Sequence, residues 1–186
     1  MESNFVVWTL TKWIYYFNMI KERYKNAYYN IAKEISLLSY ANRLKVGAII
    51  VKDNRIISIG FNGTPPNWDN ECEEEEVFYT RSTYFKGQVY TYESHIKDIN
   101  AKQDTRLKTK PEVIHAEMNA LQKLASSNES GNNATMFCTH TPCMECAKGV
   151  VMSGIKNFYY IDKYRSDDGL FFLQKSGVDI EQRSYD

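Results

Sequence analysis

The sequence has no surplus of either charge: its 186 residues carry 23 basic and 23 acidic side chains. A protein that grips a long phosphate backbone needs a basic stripe, and none stands out, so a polynucleotide partner is disfavoured. A single nucleotide, which needs only a few local donors, stays open. Cysteine is sparse, with only Cys72, Cys138, Cys143 and Cys146. With no cleavable secretory signal, a disulfide framework is the weaker reading and a reduced, cytoplasmic protein the better one. No hydrophobic run suffices to cross a bilayer. The stretch FVVWTLTKWIYYFNMI (5–20) is only 16 residues long and includes Lys12 and Asn18, against the ~20 apolar residues a spanning helix needs. It reads as an amphipathic helix within an N-terminal helical extension over 1–28, packed on the domain or on another subunit, with no membrane role. Internal repeats are absent, and the length suits one domain over 1–186.

What is present alternates between two periods. From 19 to 42, Tyr24, Ala27, Tyr28, Ile31, Ile35 and Leu38 recur at helical spacing. Two β-rich runs follow, 46–51 and 55–61, joined by the turn signal Asp53-Asn54 and ended by Asn62-Gly63-Thr64-Pro65-Pro66. The segment 67–110 reads as a surface insertion of unassigned structure: an acidic run at Glu71 and Glu73 to Glu76, taken as a solvated face, then a Tyr-rich part, then a basic one. PEVIHAEMNALQKLASS (111–127) predicts a helix with Ala116, Ala120, Leu121 and Leu124 in the core. ATMFCTH is a buried strand, and Pro142 opens a helix over 142–153 that Gly154 closes. NFYYI is a strand, DGLFFLQKSG a short helix and VDIEQ a last strand. Such alternation argues for an α/β sandwich with helices covering a sheet.

The chemistry concentrates in VIHAEMNAL and HTPCMECAKG. A CxxC at a helix start places two sulfurs on one side of the first turn, where backbone N–H groups favour thiolate. With His115, Cys143 and Cys146 form a borderline-soft donor set suited to zinc. Three ligands rather than four leave a position for water, whose pKa such an ion lowers to roughly 7. Glu117, two residues after the histidine, can take and return a proton. H-x-E followed by P-C-x-x-C is the signature of zinc nucleobase deaminases. The lack of a second CxxC disfavours half of a structural zinc site. Cys138 reads as a small buried hydrophobe and His95 as a solvated residue of the insertion.

VGAIIVKDNRIISIGFNGTP, HAEMNAL and TPCMECAKGVVMSGIKNFYY together resemble the deoxycytidylate (dCMP) deaminases, bacteriophage-type ones included, over about residues 40–66 and 111–165. The resemblance implies a three-layer α-β-α sandwich with a central mixed sheet. It implies hydrolytic conversion of dCMP to dUMP and ammonia, one catalytic Zn²⁺ on His115, Cys143 and Cys146, and proton transfer by Glu117. Substrate contacts are implied at Asn62, Ala116, Thr141, Pro142, Tyr160 and Tyr164, with Arg43 or Lys45 on the phosphate. Regulation by dCTP and dTTP is implied at Gly60, Phe61 and Gly63, although Phe61 replaces the family's usual tyrosine, and assembly as a homohexamer is implied too. His140 departs from the commoner small or apolar residue at the mouth. The second, structural zinc of some phage-type relatives is not expected, because Ala41 and Glu71 stand at its positions, with Cys72 alone beside them. Two alternatives stay open: a deaminase of another cytosine or modified-dCMP substrate, and a non-catalytic module that zinc merely stabilises.

Overall fold

A computed structural model of the protein describes residues 20–97 and 100–183. The helix expected over 5–20 therefore lies outside the described residues except for Ile20. The first described helix, α1 (Glu22–Ser36), is shorter than the 19–42 run and ends in a turn at Leu37. Its buried stripe is Lys25, Tyr28, Tyr29, Ala32 and Ser36, while Tyr24 and Leu38 are exposed. Periodicity read from apolar residues alone misplaced that face, because a lysine sits on it. The Lys25 ammonium meets the Glu181 carboxylate at 2.6 and 2.8 Å and lies 5.0 Å from the Tyr159 ring centre, so its stem is buried while its charge is paired.

Strands β1 (Gly47–Lys52) and β2 (Arg55–Phe61) form the expected hairpin. Its two-residue loop, Asp53 and Asn54, has φ of 50° and 58°, the left-handed pair that matches the twist of the flanking strands. Past the insertion come α2 (Ala116–Ala125), β6 (Thr135–His140), α3 (Met144–Met152), β7 (Asn157–Asp162), α4 (Asp168–Lys175) and β8 (Asp179–Gln182). The main sheet runs β2-β1-β6-β7-β8, antiparallel through β6 and parallel from β6 to β8. It is the central mixed sheet of a three-layer α-β-α sandwich.

The period of two sorts the core into its layers. Ile49, Val51, Phe137, Tyr159 and Ile161 point to α1, where the Tyr29 and Tyr159 rings meet Phe137 edge-on, each at 5.2 Å. Ala48, Ile50, Met136, Cys138, Phe158 and Tyr160 face the layer of α2, α3 and α4, which adds Ala120, Leu121, Leu124, Ala147, Val150, Leu170 and Leu173. Two predicted helix starts move inward. Ile114 exchanges both backbone hydrogen bonds with Gly63, at 2.9 and 3.1 Å, so a turn at 111–112 leads into an isolated bridge and α2 begins at Ala116. Cys143 caps α3, which leaves Pro142 before the cap rather than in the first turn. Gly154 does close α3, with φ of 74°.

The insertion is ordered as a second sheet of β3 (Glu73–Phe85), β4 (Gln88–Ser94) and β5 (Lys102–Thr109), antiparallel in the order β4-β3-β5. Lys86-Gly87, with φ of 46° and 83°, turns β3 into β4. Both faces are largely exposed, which removes the hydrophobic alternation that reveals a strand in a sequence. The faces differ. One gathers Val77, Tyr79, Phe85, Tyr90, Tyr92 and Leu107; the other pairs Glu76 with Arg106 at 2.8 Å and Lys108 at 3.0 Å, and Arg106 with Glu93 at 2.7 Å. The acidic run is thus no uniform solvated face, since Glu73 and Glu76 are both engaged.

Close approach at two glycines brings helices onto opposite sides of the hairpin. A Cβ on Gly47 would lie 2.2 Å from the Ala32 carbonyl oxygen of α1, and one on Gly60 would lie 2.2 Å from the Ala116 carbonyl oxygen of α2. Both obstacles are backbone, which cannot rotate away. Gly60→Ala is therefore expected to lower stability by about 2 kcal/mol in chemical denaturation, as overpacked sites do. Gly63→Ala, whose Cβ meets nothing nearer than 3.9 Å, is expected to stay within about 0.5 kcal/mol of the parent.

Candidate metal centre and active site

Two helix N-termini converge beyond the C-terminal ends of β6 and β7. His115 caps α2 and Cys143 caps α3, both with extended backbone (φ/ψ −69°/153° and −71°/170°). The Cys143 sulfur accepts the Cys146 backbone N–H at 3.5 Å, so the CxxC spacing folds its two sulfurs onto the first turn of α3. His115 Nδ1 lies 3.5 Å from Cys143 Sγ and 3.4 Å from Cys146 Sγ, and all three donor atoms fall within 4.8 Å of one another. Tetrahedral zinc with bonds of about 2.0 Å to nitrogen and 2.3 Å to sulfur requires an N–S edge of about 3.5 Å. The donor set fits zinc in both chemistry and spacing. Exposure falls from His115, open to solvent, through Cys143, half-buried, to Cys146, buried. A trio closed on one side and open on the other suits a metal that keeps a coordination position for reactants.

The sulfurs are electrostatically unequal. Hydrogen bonds from Cys146 and His115 bring Cys143 down to about 3, and the same Cys143 contact together with burial pushes Cys146 up. The hydrogen bond to Cys143 raises His115. A dication between the sulfurs favours both as thiolates. Glu117, in the first turn of α2, is 4 % exposed, and burial raises it to about 7 against the opposing pull of its own backbone N–H and of His115. A carboxyl poised near neutrality both accepts and returns a proton.

His115, Cys143 and Glu117 open into a cleft of about 320 Å³, with Cys146 buried behind its wall. Its wall includes His115, Ala116, Glu117, Cys143, Thr141 and Tyr164, together with Asn62 and Arg43, so eight residues singled out in the sequence meet there. Asn62 is spent on the chain itself: its Oδ1 accepts from Val46 N–H at 2.8 Å and its Nδ2 donates to the Leu44 carbonyl at 2.9 Å. Thr141 likewise holds Tyr164, whose backbone N–H donates to its hydroxyl at 2.8 Å. His140 lines the mouth, bonded through Nδ1 to the Thr139 hydroxyl at 3.0 Å, and burial lowers its pKa.

Three expected substrate contacts lie elsewhere. Tyr160 is 6 % exposed and points into the core beneath α2 to α4, because the site begins beyond the strand and the strand's alternation turns Tyr160 away. Pro142 is fully buried, with its carbonyl against Gly169. Lys45 points outward while its neighbours Leu44 and Val46 line the cleft. Gly60, Phe61 and Gly63 stand behind the wall rather than in it. The sequence reading missed Lys163, Glu73 and Thr109, which do line the cleft. Lys163 carried a weak signal, standing between the NFYYI strand and Tyr164; the other two carried none, since only the β3–β5 register brings them there. At the positions weighed for a second zinc, Ala41, Cys72 and Val113 pack as a small apolar cluster, and Glu71 is exposed, 3.4 Å from Lys110. His115→Ala and Cys146→Ser are expected to reduce bound zinc to a small fraction of the parent's content, measured by plasma mass spectrometry, whereas Cys72→Ala leaves it unchanged.

Residues 22–162 match the profile described as the cytidine and deoxycytidylate deaminase zinc-binding region. The deoxycytidylate deaminase of enterobacteria phage T4 is 33 % identical over 166 residues, covering 81 % of this chain and 84 % of that protein. The structure of the dCMP deaminase of cyanophage S-TIM5, in complex with dCMP and dUMP, superposes with a TM-score of 0.69 at 36 % identity, covering 89 % of this chain and all of that one. A diaminohydroxyphosphoribosylaminopyrimidine deaminase/reductase from Thermotoga maritima shares the fold alone, at 20 % identity and a TM-score of 0.55 over 86 % of this chain and 36 % of that one. With two helix caps bringing a histidine and a CxxC together over a buried glutamate, the chain belongs to the cytidine and deoxycytidylate deaminase family.

Proposed function

We propose that this protein is a zinc-dependent dCMP deaminase that hydrolyses the 4-amino group of dCMP to give dUMP and ammonia. The observation that carries the reading is the meeting, in one cleft of mononucleotide size, of a three-donor metal group, a buried carboxylate beside it, and Arg43 and Lys163 on the wall. At about 320 Å³ the cleft is at the small end of ligand pockets and suits one nucleotide rather than a strand. His115, Cys143 and Cys146 would hold zinc, which when bound lowers the pKa of water to about 7 and so supplies the hydrolytic chemistry. Glu117 receives the first proton of the attacking water and passes it to the ring N3, then takes the remaining proton of the hydroxyl added at C4 and delivers it to the departing amine. The C4–O bond forms first, across the N3–C4 double bond; the C4–N bond then breaks as the C4 carbonyl forms and ammonia leaves, and the buried carboxyl ends in its starting state. Arg43 takes the phosphate, and Asn62 holds the 44–46 wall against which the nucleotide rests.

Regulation by dCTP and dTTP is proposed at the segment Gly60, Phe61 and Gly63. It is supported by the tie between that segment and the catalytic helix. Asn119 Nδ2 donates to the Phe61 carbonyl at 3.0 Å, Lys123 Nζ lies 5.1 Å from the Phe61 ring centre, and both residues belong to α2, which carries Glu117. A homohexamer is proposed as the assembly, with the aromatic face of the insertion sheet as one contact surface, because Phe85, Tyr90 and Tyr92 stand exposed together there. A cytoplasmic location is proposed, and the free state of all four cysteines supports it. Among the described residues no helix is long and apolar enough to cross a membrane.

The primary test is ultraviolet-monitored deamination of dCMP, cytidine and dCTP, with selective loss of dCMP expected; turnover of cytidine alone would overturn the substrate. Glu117→Gln is expected to retain zinc and lose about a thousandfold in kcat, and undiminished turnover would remove the carboxylate from the mechanism. Light scattering on a Tyr92→Glu, Leu107→Glu variant is expected to show a mass below that of the parent hexamer, and an unchanged mass would exclude this face from assembly.

A further inference from the structure

The insertion sheet reaches the active site only at its base. Glu73 opens β3, Thr109 closes β5, and the two are direct partners in the antiparallel register, so their side chains leave the same face. Both line the cleft that holds the metal group and Glu117. Both also grip the same short segment of the main domain. The Asn42 backbone N–H donates to the two Glu73 oxygens at 3.1 Å each, and the Arg43 N–H donates to Glu73 Oε1 at 3.2 Å. Arg43 Nη1 donates to the Thr109 hydroxyl at 2.8 Å. The far side of the segment is fixed by the Asn62 amide, bonded to Leu44 and Val46.

This arrangement orients one side chain. The carboxylate is spent on backbone N–H groups, so it anchors residues 42–43 without taking the guanidinium as its partner. Thr109 uses one of five guanidinium N–H groups, and its hydroxyl carries no charge that would compete with an anion for the rest. A guanidinium held in this way at the rim of a nucleotide-sized cleft is pre-organised for a planar, bidentate grip on phosphate. A loosely tethered arginine would lose rotamer freedom on binding, and pre-organisation avoids that cost.

We propose that Glu73 and Thr109 are positioning residues that aim Arg43 at the 5′-phosphate, so that the insertion sheet sets the preference for a nucleotide over its nucleoside. The proposal rests on the dCMP reading above. Neither residue touches the reacting atoms; both act through Arg43.

The test compares kcat/KM for dCMP with that for deoxycytidine in the zinc-loaded enzyme. Thr109→Val is expected to reduce the dCMP-to-deoxycytidine ratio about tenfold, through the KM for dCMP with kcat retained. Thr109→Ser, which keeps the hydroxyl, is expected to restore the ratio, and Glu73→Gln to lower it in the same direction. Adding Thr109→Val to Arg43→Ala should bring no further fall in the ratio, because the threonine then has nothing to position. Equal losses on both substrates, or an unchanged ratio in an enzyme active on dCMP, would overturn the positioning role while leaving the dCMP reading standing. If the parent protein deaminates neither compound, the dCMP reading falls. Calorimetric titration with dUMP and deoxyuridine then decides the positioning alone: an affinity ratio that drops with Thr109→Val supports it, and one that does not move overturns it.

Discussion

The site depends on the contact of β2 with α2. The missing side chain of Gly60 lets the hairpin close against the Ala116–Ala120 backbone, and α2 carries both His115, at its cap, and Glu117, in its first turn. The ligand edges of 3.4 and 3.5 Å to the two sulfurs tolerate little displacement of that helix. Backbone packing on the far side of α2 therefore sets the spacing of a chemical centre on its near end. The same contact fastens the Gly60–Gly63 segment to α2, with Asn119 bonded to the Phe61 carbonyl. A change in that segment has a short mechanical path to Glu117.

Charge in the cleft is arranged by depth. The carboxyl of Glu117 lies at the buried floor, where desolvation holds it near neutrality. The cationic side chains, Arg43 and Lys163, stand at more accessible positions of the same wall. A molecule reaching the floor of the cleft meets the Glu117 carboxyl in a dry environment, with Arg43 and Lys163 nearer solvent. The second layer of the sandwich solves a different problem. There Lys25 and Glu181 join α1 to β8 through a short ion pair whose lysine is almost wholly buried, beside a cluster of aromatic rings on Phe137.

The insertion was the least legible part of the chain, for a physical reason. A strand announces itself through one buried face, and a three-stranded sheet with solvent on both sides has none. Its aromatic and charged faces appear only once Arg81 is set opposite Tyr92 and Glu76 opposite Arg106, pairings that depend on register. The same lack of a local signal hid Glu73 and Thr109. They are separated by 36 residues in the chain and joined by one rung of a ladder. Lys25 misled the reading of α1 because a hydrophobic pattern assigns lysine to solvent, whereas its actual partner, Glu181, comes from the last strand.

Where chemistry rests on residues a few positions apart, the sequence alone was sufficient. His115 with Glu117, and Cys143 with Cys146, lie within single helical turns, so backbone geometry alone dictates that each pair shares a helix N-terminus. The strand–helix alternation, the Asp53-Asn54 turn and the core positions Ala116, Ala120, Leu121 and Leu124 follow from local periodicity in the same way. Only the tertiary structure decided which distant residues close the cleft. It turned Tyr160 into the core, left Lys45 outside, spent Asn62 on the 44–46 backbone, and brought Lys163, Glu73 and Thr109 to the wall. Those outcomes depend on strand register and on where each strand ends relative to the site, which are long-range quantities that no local pattern encodes.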